Sequence, residues 1–336
     1  MKIIVDIMSG DNAPYAPFRG AISAYKEYGC KLILVGDSDI IRSIAKEDGI
    51  DLDNTDISVE HTTEVISMEE SPMSIRSKKD SSMVKALTLL SEGKGNAVVS
   101  AGNTGALYAG ASILVSRIKG FRKAAIATVL PFTPPVLLVD AGANITVTDE
   151  NLEQFAVMGS AYMKEVMGIS SPRVGLLNNG TERTKGSQIL QDTYCRLEEN
   201  DTLNFVGNVE SRTLPYGVCD VLVTDGFSGN IVLKYTEGLC AYMLESVKNA
   251  FASNPLTKAS GLVMKKSLDA ISHRFSFSEY GGAPLLGISK PVIKAHGSSD
   301  ANAMKNAIKQ AIDYSGSGMI EHLSNLELRT SDDEFV

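Results

Sequence analysis

Seven short runs of consecutive apolar residues, at 3–5, 32–35, 97–99, 136–139, 174–177, 221–223 and 292–293, punctuate the chain, and helical patterns lie between several of them. Runs of this length without polar alternation are what strands buried on both faces look like. Their alternation with helices predicts βαβ units, a mostly parallel sheet and helices on both of its faces. In such a three-layer αβα fold, ligands are expected at the carboxyl ends of strands.

The chain has 336 residues, 43% of them hydrophobic, which is ample for a large core. No Pro/Gly/Ser-rich linker divides it and no period of 20–50 residues repeats, so one αβα domain over residues 1–330 is expected. One stretch departs from the pattern. A long helical stretch over 231–252 meets Asn254-Pro255 and is followed by a second, Lys-rich one, which predicts a protruding helical arm at about 240–275. The acidic residues within 331–336 are expected to fray as a tail.

Forty acidic against 32 basic residues give a net charge of −8, which argues against nucleic acid as a partner. Cys30, Cys195, Cys219 and Cys240 show no CxxC spacing and make no disulfide framework, which points to a reducing compartment. Asp6 interrupts the apolar start before a signal-peptide core forms. The uncharged stretch 95–116 carries four glycines with Asn, Ser and Thr, too polar for a spanning helix.

The candidate chemistry lies in three junctions that follow buried strands: Ser100-Ala101-Gly102-Asn103-Thr104-Gly105, Asp140-Ala141-Gly142-Ala143-Asn144, and Asp225-Gly226-Phe227-Ser228-Gly229-Asn230. Glycine lets a backbone approach a ligand closely, and a following helix start aims N–H groups at an anion. The alternative is that small residues simply pack tight turns. Neither GxGxxG nor GxxxxGK[ST] occurs, so the expected anion is phosphate or a phosphate-bearing arm rather than NAD or ATP. Residues 226–230 nearly form a GxSxG elbow, with His296 and His322 downstream, which leaves a serine hydrolase open; otherwise Ser228 caps a helix starting near Asn230 or donates to an anion. His61, His273, His296 and His322 are scattered and no HExxH occurs, so no metal is expected. His296-Gly297-Ser298-Ser299-Asp300 forms another polar junction after a strand, either a site or a capped turn. Arg76, Lys78 and Lys79 form a cationic cluster ahead of a helix, either a solvated face or a surface for an acidic partner.

Several of these segments, taken together and in order, resemble the bacterial phosphate acyltransferase (PlsX) family. The resemblance rests on residues 6–14, 78–83, 100–106, 140–144, 178–182, 205–210, 225–230 and 295–297, and spans nearly the whole chain. Two departures stand out: Ser9 where the family usually has glycine, and Lys123 where a proline usually follows the arginine.

The resemblance implies a fold like isopropylmalate dehydrogenase and phosphotransacetylase, a homodimer, no metal or nucleotide cofactor, and a cytoplasmic enzyme peripherally attached to the membrane. It implies transfer of a long-chain acyl group from acyl carrier protein to inorganic phosphate, feeding phospholipid synthesis through a membrane glycerol-3-phosphate acyltransferase. On that basis Asp225, Asn230, Lys234 and His296 are expected to serve catalysis. Gly102, Asn103, Thr104, Gly105, Asn144, Asn179, Gly226, Ser228 and Gly229 are expected to contact phosphate or substrate. Arg76, Lys78 and Lys79 are expected to meet the carrier protein or its phosphopantetheine. Leu256, Leu262 and Val263, with nearby lysines, are expected to touch membrane, or alternatively a partner subunit. A non-catalytic lipid-binding protein and a 2-hydroxy-acid dehydrogenase are the rival readings of other classes.

Overall fold

A strand with apolar side chains at every position must be covered on both faces, and β1 (Lys2–Asp6) shows how this chain does it. Ile3 and Val5 enter one core with Phe18, Ile22, Tyr162 and Met304, while Ile4 enters the opposite core with Met83, Leu87 and Leu107. The computed structural model describes residues 1–275 and 280–326, apart from the side chains of Leu256, Leu262, His273 and Arg274. The expected tail at 331–336 lies outside the described residues.

The described residues form one sheet of eleven strands: β1, β2 (Lys31–Gly36), β3 (Ile57–His61), β4 (Ala97–Ser100), β5 (Ala125–Leu130), β6 (Val136–Val139), β7 (Arg173–Leu177), β8 (Asn204–Val209), β9 (Val221–Val223), β10 (Ala283–Leu286) and β11 (Val292–Lys294). Its order is β3-β2-β1-β4-β11-β10-β5-β6-β9-β7-β8. The helices are α1 (Tyr15–Tyr28), α2 (Ser38–Glu47), α3 (Ser82–Ser91), α4 (Thr104–Gly110), α5 (Asp149–Glu165), α6 (Gln188–Glu198), α7 (Gly226–Ala252), α8 (Pro255–Arg274), α9 (Ala301–Gly316) and α10 (Met319–Ser324). Residues of α1, α2, α5, α9 and α10 join one core and residues of α3 and α4 the other, which gives the three layers expected.

All seven apolar runs are strands. Seven of the ten strand pairings are parallel; the exceptions are β10 with β11, β10 with β5, and β5 with β6. These three reversals make the two halves of the sheet run in opposite directions.

The register then decides where the site falls. On β10, Ala283 pairs with Lys294 of β11, and two residues later Leu285 pairs with Ile126 of β5, so Lys294 sits level with Thr128. On the other side of β5, Val139 at the end of β6 pairs with Ala127. The carboxyl ends of both halves therefore meet at one level of β5, across three strand spacings or about 14 Å.

The arm is a helix pair. Helix α7 runs to Ala252, and α8 starts at Pro255, where proline is tolerated in the first turn. No described helix is long and apolar enough to cross a membrane.

Candidate active site

A cavity of about 730 Å³ opens where the two sets of carboxyl ends meet. Ile126 and Thr128 of β5 form its floor; Gly226, Phe227, Asn230 and Lys234 come from the start of α7, and Lys294 and His296 from the end of β11. Thr104, Gly142 and Asp300 also reach it, so all four polar junctions border one space.

The middle junction is wired by a single carboxylate. Asp140 is fully buried; its Oδ1 accepts the N–H groups of Ile126, Gly142 and Ala143 at 3.0–3.1 Å, and its Oδ2 accepts both the backbone N–H and the side-chain amide of Asn144 at 2.7 and 2.8 Å. Asn144 also donates to the Ala124 carbonyl and accepts from the Tyr108 hydroxyl. Its amide is thus fully committed within the protein, and the expected substrate contact by Asn144 gives way to a structural role.

The Asn144 carbonyl in turn accepts the Gly226 N–H at 2.7 Å, which seats α7 on this loop. Helix α7 begins at Gly226, not near Asn230, and its cap is Asp225, whose carboxylate accepts the Ser228 N–H at 2.8 Å. Close approach accounts for the glycines here. A Cβ on Gly229 would lie 1.9 Å from the Asp140 carbonyl oxygen, and one on Gly226 would lie 2.7 Å from the Asn144 nitrogen. Gly229 is buried against protein, so the tight-turn alternative describes these two residues.

The first junction behaves similarly. The Asn103 side chain accepts the Ala106 N–H as cap of α4, and its amide donates to the carbonyls of Met68 and Glu70, both at 2.9 Å. Its side-chain donors are spent within the protein, which leaves only its backbone N–H for the expected phosphate contact. A Cβ on Gly102 would meet Met83, and one on Gly105 would meet Pro72. Thr104 is exposed to the cavity. The segment after β1 serves as a brace: Asn12 donates to the carbonyls of Ser298 and Ser299, and Asp11 N–H to that of Gly297.

The residue that sequence reasoning missed is Lys294. It is 7% exposed, and its ammonium donates to the carbonyls of Ala101 and Ala295. Among the described residues no carboxylate lies at ion-pair distance, so one of its three protons is left for the cavity it lines. Burial lowers its pKa to about 8, with Lys234 acting in the same direction and Asp11 and Asp6 opposing. A lysine closing an otherwise apolar strand, directly ahead of Ala295-His296, was the available signal.

His296 is exposed to the same cavity. Its Nδ1 accepts the Ser298 N–H at 3.2 Å and lies 2.8 Å from the Ser298 hydroxyl, so the neutral ring carries its proton on Nε2. Burial, with Lys234 and Lys294 nearby, pushes its pKa down and keeps it neutral near pH 7. Lys234 pairs with Glu237 at 2.8 Å and is half exposed, so its charge is partly neutralised and screened by solvent. The starts of α7 and α9 border the cavity as well and add the positive ends of two helix dipoles. The arrangement sets hydrogen-bond donors and positive charge beside the apolar side chains of Ile145, Phe227 and Leu233.

Other expected residues lie elsewhere. Asn179 follows β7, beyond β9, and does not line the cavity. Lys78 is tied to Glu70 at 2.6 Å and to the Val65 carbonyl, which corrects its assignment to an external partner; Arg76 and Lys79 are exposed. Of the residues the hydrolase alternative would pair, His296 lines the cavity but Ser228 does not, and His322 lies 3.7 Å from Glu165. Cys30, Cys195, Cys219 and Cys240 do not line it either, and burial pushes the Cys219 thiol up to about 12. Among the described residues no three His, Cys, Asp or Glu side chains group to hold a metal. The side chains of Leu256 and Leu262 lie outside the described residues; Val263 is 87% exposed.

Residues 1–322 match the family model described as "Fatty acid synthesis protein". The chain is 43% identical to the phosphate acyltransferase of Alkaliphilus oremlandii over the whole of both chains. It is 42% identical to that of Clostridioides difficile, over 99% of this chain and 100% of the other. Among solved structures, a phosphotransacetylase from Streptococcus pyogenes superposes with a TM-score of 0.62 at 17% identity, covering 94% of each chain. A branched-chain phosphotransacylase from Enterococcus faecalis does so with a TM-score of 0.58 at 16% identity, covering 94% of this chain and 100% of that one. At such identities the structures establish the shared fold.

Two outcomes follow from this geometry. Gly229→Ala is expected to destabilise the protein by about 3 kcal/mol or more, because the methyl group meets a backbone carbonyl that cannot turn aside. Urea unfolding checks this, and wild-type stability would contradict it. For Lys294, the folded and unfolded states are both protonated below pH 8. Between pH 8 and the ordinary value of 10.5 the folded lysine sheds its proton while the unfolded one keeps it. The unfolding free energy of the wild type should therefore rise over that window, relative to Lys294→Met, by on the order of 3 kcal/mol. Parallel stability curves for the two proteins would refute the assignment.

Proposed function

The chain belongs to the phosphate acyltransferase family and is an acyltransferase, and on that premise we propose that it moves a long-chain acyl group from the thiol of acyl carrier protein to inorganic phosphate. The observation that carries this reading is the buried Lys294 ammonium, with no carboxylate at ion-pair distance among the described residues, beside two helix N-termini and an apolar wall. Such a site suits an anion and an acyl chain together.

In the proposed step a phosphate oxygen attacks the thioester carbonyl carbon, forming a C–O bond and a tetrahedral oxyanion. The oxyanion collapses, the C–S bond breaks, and the carrier leaves as a thiolate of pKa about 8.5, which needs no strong acid. The protein's work is to hold phosphate against the thioester and stabilise the oxyanion, each worth several kcal/mol. Lys294, Lys234, Asn230, Thr104 and the Nε2–H of His296 supply donors around the cavity. Asp225 and Gly226 place the start of α7. Gly102, at the turn before α4, Gly105 in its first turn, and Ser228 and Gly229 in the first turn of α7 let these segments pack closely.

Two further parts of the reading concern association. On α7, Ile231, Tyr235, Leu239 and Tyr242 recur at helical spacing and are 45–69% exposed, a stripe suited to a second copy of the chain as a homodimer. Val263 stands near Lys258, Lys265 and Lys266 on α8, a mixture suited to an anionic membrane surface. There the product would pass to a membrane glycerol-3-phosphate acyltransferase in phospholipid synthesis, with the enzyme cytoplasmic and peripherally bound.

The test is purified protein with long-chain acyl-(acyl carrier protein), with and without inorganic phosphate, in chelator. Phosphate-dependent thiol release should accompany acyl phosphate, trapped by hydroxylamine as a hydroxamate. Release that ignores phosphate and yields free fatty acid would mark a hydrolase, and binding without release a lipid carrier.

A further inference from the structure

We propose that a second, concave groove at the far end of the α4 segment docks an acidic, amphipathic helix of the protein that delivers the acyl group. This rests on the reading above that the acyl donor is bound to a protein. The groove has a volume of about 480 Å³. It is lined by Ile75, Val84, Ile113 and Leu114, with Thr88 among them, and is bordered by Arg76 and Lys79. Ile113 is 48% exposed there, a large apolar side chain with nothing over it.

The charges at the rim select the partner. Among the described residues, neither Arg76 nor Lys79 has a carboxylate at ion-pair distance, whereas the nearby Lys78 is held by Glu70. The whole chain carries eight more acidic than basic residues, yet Arg76 and Lys79, both exposed, border the same groove and give it a cationic rim. A groove of this kind is complementary to a helix with acidic flanks and an apolar ridge. A free phosphate would call for cations converging on a polar pocket, and a bilayer for a protruding tip; this site is concave and apolar.

Its position fits delivery. Thr104 borders the active cavity, and from there α4 runs into the π-helical turn Ala111–Val115, which presents Ile113 and Leu114 to the groove. Ten residues of helix span about 15 Å. A carrier seated at one end would need only a flexible prosthetic arm of about that reach to place its thioester at the other. The short helix Pro72–Arg76 packs on the start of α4, where a Cβ on Gly105 would meet Pro72, so groove and cavity belong to one packed unit.

The double variant Arg76→Glu/Lys79→Glu tests this, with Ile113→Asp as an independent variant. For both, the apparent KM for acyl-(acyl carrier protein) should rise by about tenfold or more, with kcat at saturation and the melting temperature close to wild type. Fluorescence anisotropy with labelled carrier protein should show the same loss of affinity. An unchanged KM and affinity in stable variants, with an active wild type, would overturn the docking site and leave the proposed reaction standing. A wild type that cannot turn over acyl-(acyl carrier protein) would overturn the reaction, and the docking site with it.

Discussion

The cavity keeps its shape because one buried carboxylate, that of Asp140, gathers four backbone N–H groups and a side-chain amide. Ile126 belongs to the central strand, Gly142 and Ala143 to the loop, and Asn144 to the support on which α7 sits. Removing such an acceptor would leave several buried donors unpaired, each costing about 1–3 kcal/mol. The position of Asn230 and Lys234 on α7 is thus inherited from a residue that touches no substrate. The steric limit at Gly229 belongs to the same contact, since α7 lies so close to the Asp140 carbonyl that even a methyl group does not fit.

The electrostatics of the cavity are built differently. Its fixed positive charge, Lys294, is partnered by carbonyl oxygens rather than by a carboxylate, and burial makes that ammonium expensive. An anion entering the cavity relieves the cost. The carboxylates that act on the ammonium, Asp11 and Asp6, stay beyond ion-pair distance, and Asp300, six residues on, is engaged as the cap of α9. They leave Lys294 without a competing ion pair, which is the condition an anion-binding site needs.

How much was legible in the sequence follows from burial. The seven strands found were covered on both faces and therefore read as unbroken apolar runs. The four missed have other reasons. β3 and β8 are edge strands and mix polar with apolar residues, as in Ile57-Ser58-Val59-Glu60-His61. β5 is rich in alanine and carries Thr128, and β10 is four residues long and contains Pro284. Missing β5 and β10 meant missing the reversal that brings the two halves together. The polar junctions were visible, but whether a glycine faces a ligand or a neighbouring backbone depends on contacts between segments far apart in the chain, such as Gly229 with Asp140. Lys294 closes a strand that was legible, but only the fold shows that it is buried on carbonyl oxygens with no carboxylate at ion-pair distance among the described residues.

The central claim is that Lys294 anchors an anion in this cavity. Titration of inorganic phosphate into the protein near pH 7, followed by calorimetry and by phosphorus NMR line broadening, tests it without reference to turnover. The account predicts saturable binding to the wild type, weakened by about tenfold or more in Lys294→Met while the variant stays folded. Equal phosphate affinity in wild type and variant would contradict it.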